Sequence, residues 1–117
     1  REKLVLGRLD IVRDWGWAPE YVDAMWRMLQ QDRAEDFVIA TGVSVSLKDF
    51  VGEVFDSLGL NAGDHVETEK HLYRPSDIAW SQGDASRARE RLGWFAQTRM
   101  PELARRLVRE VREASAA

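Results

Sequence analysis

The chain has 117 residues, with 17 Lys+Arg against 20 Asp+Glu, a formal net charge of −3, 44% hydrophobic and 32% charged residues. That length bounds it to one domain able to bury about two-thirds of its unfolded surface, with the balance of a globular chain. The absence of cysteine excludes disulfides, thiolate metal sites and cysteine nucleophiles; the net negative charge disfavours a general nucleic-acid binder but leaves room for a local phosphate site; and no apolar run approaches the ~20 residues that span a bilayer.

Arg1 to Gly7 carries no secretory apolar region, so a cytoplasmic protein is expected. Leu4-Val5-Leu6 is a short strand candidate ending at Gly7, and Gly7 to Trp17 shows neither helical nor strand periodicity and reads as an ordered loop. Pro19 is preorganised for a first helical turn, because the N–H it lacks would be unpaired there anyway. Val22, Met25, Trp26 and Leu29 then form an i, i+3, i+4, i+7 stripe that predicts a buried helix face. Phe37-Val38-Ile39-Ala40 reads as a strand buried on both faces, the kind found in parallel sheets covered by helices.

Ser46 has N-cap chemistry, with Asp49 at the capping-box position. Leu47, Phe50, Val51, Val54, Phe55 and Leu58 keep helical spacing up to a stop at Gly59. Together with the 37–40 run, this is strand, turn and helix in the order of a β-α-β unit. Weak strand character follows at His65 to Thr68, and a turn at Tyr73 to Asp77, because Pro75 pushes Arg74 out of helical geometry. Asp84 is placed to cap a helix Ala85 to Leu92 closed by Gly93. A last helix runs from a Thr98 cap through Pro101 to Ala114, burying Leu103, Leu107, Val108 and Val111.

The expected fold is therefore α/β, with about four helices and two or three short strands. So few strands make a poor independent parallel sheet, so the chain reads as part of a larger α/β domain.

Common chemical signatures are missing. The eight glycines never form a G-x-G-x-x-G, and Tyr21 and Tyr73 are followed four residues later by Met25 and Asp77 instead of the lysine of a Tyr-x-x-x-Lys pair. His65 and His71, six residues apart in a polar stretch with Asp64, Glu67 and Glu69, match no ligand spacing, so no metal is expected. Two anion-binding candidates remain. Arg13 precedes a helix, and its guanidinium can fork onto a phosphate with Asp14 fixing it from behind and Trp15 limiting its hydration; the alternative is a surface arginine paired with Asp14 or Glu20. Arg74 precedes a stiffening proline, and Asp77 carries a carboxylate able to accept two hydroxyl hydrogen bonds, as acidic residues do with ribose diols; the alternative is an Arg74–Asp77 salt bridge across the turn. Trp26 and Trp94 read as core, whereas Trp17 and Trp80 stay open between packing and base stacking.

Several segments together are similar to one family. Leu6-Gly7-Arg8-Leu9-Asp10 followed by Arg13-Asp14-Trp15-Gly16, Ala24-Met25-Trp26, Asp36-Phe37-Val38-Ile39-Ala40-Thr41-Gly42, Tyr73-Arg74-Pro75, Gly83-Asp84 and Leu92-Gly93-Trp94 resemble GDP-mannose 4,6-dehydratases, which are extended short-chain dehydrogenase/reductases. The resemblance implies a C-terminal substrate-binding region of a Rossmann-type enzyme, whose NADP site and catalytic Tyr/Lys lie upstream of the matching segment. It also implies a GDP-sugar substrate, a reaction that oxidises C4 of the mannose, eliminates water across C5–C6 and returns the hydride to C6, and association into dimers or tetramers. Arg13 and Arg74 fall where the family's arginines hold the diphosphate, and Asp77 where a Glu usually holds the ribose hydroxyls. The chain departs from the pattern at Arg8 for Asn, Trp17 for His, Pro19 for Lys, and in the shorter side chain of Asp77. No catalytic, cofactor or metal residue is assigned within the chain. Two other readings are a related nucleotide-sugar epimerase or dehydratase, and a truncated module that binds a nucleotide sugar without chemistry.

Overall fold

The structure, a computed structural model, describes residues 2–116. Arg1, at the head of the stretch read for a leader, lies outside the described residues, as does Ala117. In chain order the elements are β1 (Leu4–Leu6), β2 (Val12–Asp14), α1 (Ala18–Leu29), β3 (Ser44–Ser46), α2 (Leu47–Ser57), β4 (Val66–Thr68), α3 (Ser86–Leu92) and α4 (Glu102–Ala116), with 3-10 turns at Ala62–Asp64 and Lys70–Leu72. β1 pairs with β4 in parallel, Leu4 opposite Val66, and β2 pairs with β3 antiparallel, Val12 opposite Ser46. A parallel bridge joins Val12 to Trp80 on the other side of β2, through Val12 N–H to Ala79 O at 2.8 Å and Ser81 N–H to Val12 O at 2.9 Å.

The four helices match the sequence expectation, whereas the strands number four and each has three residues. β2 lies inside the stretch read as loop, and its partners stand 30 or more positions away, so nothing in its local pattern marks it. Local chemistry fixes the helix ends. Ser46 caps α2 by accepting the Asp49 N–H at 3.0 Å. Gly59 and Gly93 take positive φ (73° and 64°) just past α2 and α3, a conformation that costs glycine little. α3 begins at Ser86 with Ala85 at its N-cap, so Asp84 stands one residue before the cap expected of it; there it accepts the Ser86 N–H at 3.0 Å, and its hydrogen bonds from Ser86 hold its carboxyl below the usual range. Thr98, expected to cap α4, is instead buried: its N–H and hydroxyl both donate to the Glu20 carboxylate, and α4 begins at Glu102.

The core is thin. Of its eight buried apolar residues, Ala24, Ala40, Ala88, Ala96 and Ala104 are alanine, and only Leu92, Trp94 and Leu103 are large. Tyr21, Ala24 and Met28 of α1 face this core, where Tyr21 meets Trp94 edge-on at 6.0 Å between ring centres. Trp94 is core as expected, and its indole N–H donates to Glu20 O at 2.9 Å.

Two expectations are corrected. The Val22, Met25, Trp26 and Leu29 stripe lies on the outer face of α1, 61%, 59%, 61% and 81% exposed, so Trp26 is not core. The helix has two apolar faces, and the periodicity picked the one that this chain does not cover. On α4, Leu103 is buried but Leu107 and Val111 are exposed.

Phe37–Ala40 is extended, with Phe37 and Ile39 packed toward the core and Val38 exposed, but it forms no ladder among the described residues. It is also not the strand directly before α2, because β3 stands between them. The described residues measure 55 × 40 × 18 Å with a radius of gyration of 16.9 Å; a compact domain of this length has about 13–14 Å. The described residues form a flat plate.

Candidate functional site

The segment Gly7–Gly16 organises one edge of the plate. Leu9 O and Ile11 O accept the Lys48 and Leu47 N–H groups, both at 2.9 Å, which seats the segment over the first turn of α2. β2 then runs between β3 and residues 79–81, and each side chain of Arg13-Asp14-Trp15 reaches a different neighbour.

Arg13 donates from Nη2 to Asp77 Oδ1 at 3.1 Å and from Nη1 to Val12 O at 2.9 Å, and both partners of the ion pair are largely covered (26% and 18% side-chain exposure). Two of its five donors are thus committed and three remain. Neither pairing considered from the sequence, with Asp14 or with Glu20, is formed. Asp77 Oδ2 takes no hydrogen bond from protein among the described residues, so one carboxylate oxygen is held by Arg13 while the other is available to a hydroxyl donor. The Asp77 N–H donates to Arg74 O at 3.3 Å, closing the turn around Pro75. Arg74 sits exposed on that turn and forms no ion pair among the described residues, so the expected salt bridge to Asp77 is not made. Arg13 is therefore tied through Asp77 to the turn that Arg74 opens, across 64 positions of sequence.

Asp14 does not buttress Arg13. Its Oδ1 accepts the Thr41 N–H (2.9 Å) and hydroxyl (2.6 Å), and its Oδ2 accepts the N–H groups of Gly42 (2.8 Å) and Gly83 (3.4 Å). One carboxylate thus fastens β2 to the end of the extended 37–40 segment and to the loop before α3. Gly83 approaches Ala40 so closely that any Cβ would collide with it. Trp15 does not shield Arg13 either: its indole N–H donates to Val45 O at 2.8 Å and its ring meets Phe50 at 4.8 Å.

Trp17 lies under the Arg106 guanidinium, 3.3 Å from carbon to ring centre, joining the start of α1 to α4. Trp80 is exposed beside β2. Arg8, which the sequence singled out only as a departure from a pattern, forms a two-bond pair with Asp10 at 2.9 and 3.0 Å.

Tyr21, His65 and His71 stand apart from the Arg13–Asp77 pair, each with partners of its own. Burial pushes the Tyr21 phenol above its usual pKa, reinforced by the charges of Asp14 and Glu20, which is the wrong direction for a proton-abstracting tyrosine at neutral pH. His65 stacks on Phe55, and His71 Nδ1 lies 2.8 Å from Glu69; among the described residues no three His, Asp or Glu stand together as a metal site. Surface clefts of about 960, 480, 410 and 190 Å³ are lined by other residues. No helix among the described residues is long and apolar enough to cross a membrane.

The sequence profile of GDP-mannose 4,6 dehydratase matches residues 1–107. GDP-mannose 4,6 dehydratase 1 of Arabidopsis thaliana is 44% identical over 108 residues, which covers 92% of this chain and 30% of the relative; the human GDP-mannose 4,6 dehydratase is 39% identical over 120 residues, 88% of this chain and 32% of the relative. The chain therefore spans about a third of the length of the curated relatives it matches. Among solved structures, the dTDP-glucose 4,6-dehydratase of Streptomyces venezuelae with NAD superposes with a TM-score of 0.84 at 24% identity, covering 98% of this chain and 35% of that one. The fold is thus the α/β architecture of extended short-chain dehydrogenase/reductases, and by its sequence the chain belongs to the GDP-mannose 4,6-dehydratase family.

Proposed function

We propose that this chain is the C-terminal, nucleotide-sugar-binding part of a cytoplasmic GDP-mannose 4,6-dehydratase, with the NADP-binding Rossmann region and the catalytic groups lying outside these 117 residues. In this reading the complete enzyme is a hydro-lyase that converts GDP-mannose to GDP-4-keto-6-deoxymannose and water by internal hydride transfer. The observation that carries the site is the Arg13–Asp77 pair at 3.1 Å, on the turn opened by Arg74, which forms no ion pair among the described residues. Arg74 offers a planar fork suited to a diphosphate, Arg13 adds its remaining donors, and Asp77 Oδ2 accepts from a ribose hydroxyl while Arg13 fixes the carboxylate. This division of labour needs no catalytic base here, in keeping with the raised pKa of Tyr21.

The division between regions is supported by three features: the outward apolar stripe of α1, the unladdered Phe37–Ala40 segment and the plate-like shape. An apolar segment without strand partners and a helix with an uncovered apolar face are what remains when one part of a covered parallel sheet is viewed alone.

The test compares the 117-residue chain with the complete enzyme, both given GDP-mannose and NADP. The complete enzyme is expected to dehydrate the sugar, and the isolated chain to show no turnover and no NADP binding. Dehydration by the isolated chain would overturn the proposal. Titrating GDP-, UDP- and dTDP-sugars on the complete enzyme checks the substrate: tighter binding of a UDP- or dTDP-sugar would favour an epimerase or another dehydratase.

A further inference from the structure

The buttressed arginine that the sequence suggested at Arg13 is present in the structure, but at Arg8. Nε and Nη2 of Arg8 donate to the two oxygens of Asp10 at 2.9 and 3.0 Å, which occupies one edge of the guanidinium and fixes its plane. The Nη1 donors make no hydrogen bond among the described residues. Asp10 is mostly exposed, and an exposed pair of this kind adds little to stability, so its main physical effect is to orient the arginine.

Arg8 also directly follows Gly7, the residue at which the end of β1 meets the segment leading into the Arg74–Asp77 turn. A Cβ on Gly7 would stand 3.0 Å from Leu72 O, so the end of β1 abuts the residue that leads into Tyr73-Arg74. From there residues 8–13 pass over the start of α2 and deliver Arg13 to Asp77. Both ends of one seven-residue stretch, Gly7 and Arg13, thus meet the same 72–77 segment. The Asp10 bonds and charge raise the Arg8 guanidinium above its usual pKa, with smaller contributions from the charges of Asp77 and Tyr73.

We propose that Arg8, oriented by Asp10, is a third guanidinium of the nucleotide-sugar site and meets the substrate's diphosphate with its free Nη1 edge. This rests on the reading of Arg13, Arg74 and Asp77 given above. Three arginines against two carboxylates leave a positive surface, which favours a nucleoside diphosphate over an uncharged sugar or nucleoside.

The test titrates GDP into the complete enzyme at several salt concentrations, with Arg74→Ala as the comparator. Arg8→Gln is expected to raise the GDP dissociation constant about tenfold and to flatten its salt dependence, because one charge contact is lost. Asp10→Asn loosens the arginine but also removes a negative charge, so it should steepen the salt dependence of GDP binding, while Asp10→Glu keeps the charge of the pair and should leave that slope as in the parent. Should Arg8→Gln fail to fold, Arg8→Lys keeps the charge without the fork and should still weaken GDP measurably. If Arg74→Ala weakens GDP while the Arg8 variants bind as wild type, the Arg8 assignment is overturned and the site stands; if none of them weakens GDP, the site itself is overturned.

Discussion

Trp26→Ala is expected to destabilise the complete enzyme by about 3–5 kcal/mol, the usual cost of truncating a buried Trp, and to change the isolated 117-residue chain by no more than about 0.5 kcal/mol, as surface substitutions do. The contrast follows from where the ring lies. In this chain Trp26 stands on the outer face of α1 with Val22, Met25 and Leu29, and none of the four is covered. The inner face, Tyr21, Ala24 and Met28, already seats the helix against Trp94 and Ala88, so the outer stripe is redundant for holding α1 in place. Four large apolar side chains on one helix face form a patch that an isolated soluble domain rarely leaves open, and a Rossmann region packed on it would bury them. Denaturant unfolding of both proteins checks this. Equal, small effects in the two would mean that the face stays exposed in the complete enzyme, and the proposed arrangement of regions would fall.

Asp14→Ala should cost about 3 kcal/mol even in a protein where every substrate contact is intact, because charge-assisted hydrogen bonds are worth ~1.5–3 kcal/mol each and do not add fully. Asp14 accepts from Thr41 twice, from Gly42 and from Gly83, and so holds three segments that are distant in sequence. Removing it leaves the Thr41 and Gly42 amides without an acceptor at a point where the thin core supplies few compensating contacts. Asp14→Asn keeps the shape but replaces one acceptor oxygen with a donor that faces backbone N–H groups, so its loss should be of similar order. Thermal or denaturant unfolding gives the magnitude, and amide hydrogen exchange at Thr41 and Gly42 gives the location. A loss below about 1 kcal/mol with unchanged exchange would mean that the 41–42 turn is held by something other than this carboxylate.

What the sequence revealed was local. Pro19 near the start of α1, the Ser46 cap, the Gly59 and Gly93 stops, the Leu4–Leu6 strand and the Tyr73–Asp77 turn all follow from chemistry within a few residues, and the structure has each of them. β2 was not legible, since a three-residue strand has too little pattern to show a period and exists only because Ser44–Ser46 and residues 79–81 flank it. Helical spacing identified an apolar stripe on α1 but not which of its two apolar faces points inward, a choice made by α3 and Trp94. For the candidate site, the residue types were legible and the partners were not. Asp77 takes the role that sequence adjacency suggests for Asp14, pairing with Arg13 from 64 positions away, while Asp14 serves the backbone of Thr41 and Gly42. An adjacent carboxylate is the natural partner to infer, but successive strand side chains point to opposite faces, so Arg13 and Asp14 cannot reach the same place.

The most direct measurement is the calorimetric dissociation constant of GDP-mannose for the complete enzyme carrying Arg74→Ala. Of the three arginines Arg8, Arg13 and Arg74, only Arg74 is held by no carboxylate among the described residues, so its removal disturbs the fold least. Loss of a charge-assisted contact of about 1.5–3 kcal/mol predicts binding weaker by about tenfold to a hundredfold; an affinity equal to the parent enzyme's would contradict a diphosphate grip on this edge of the plate.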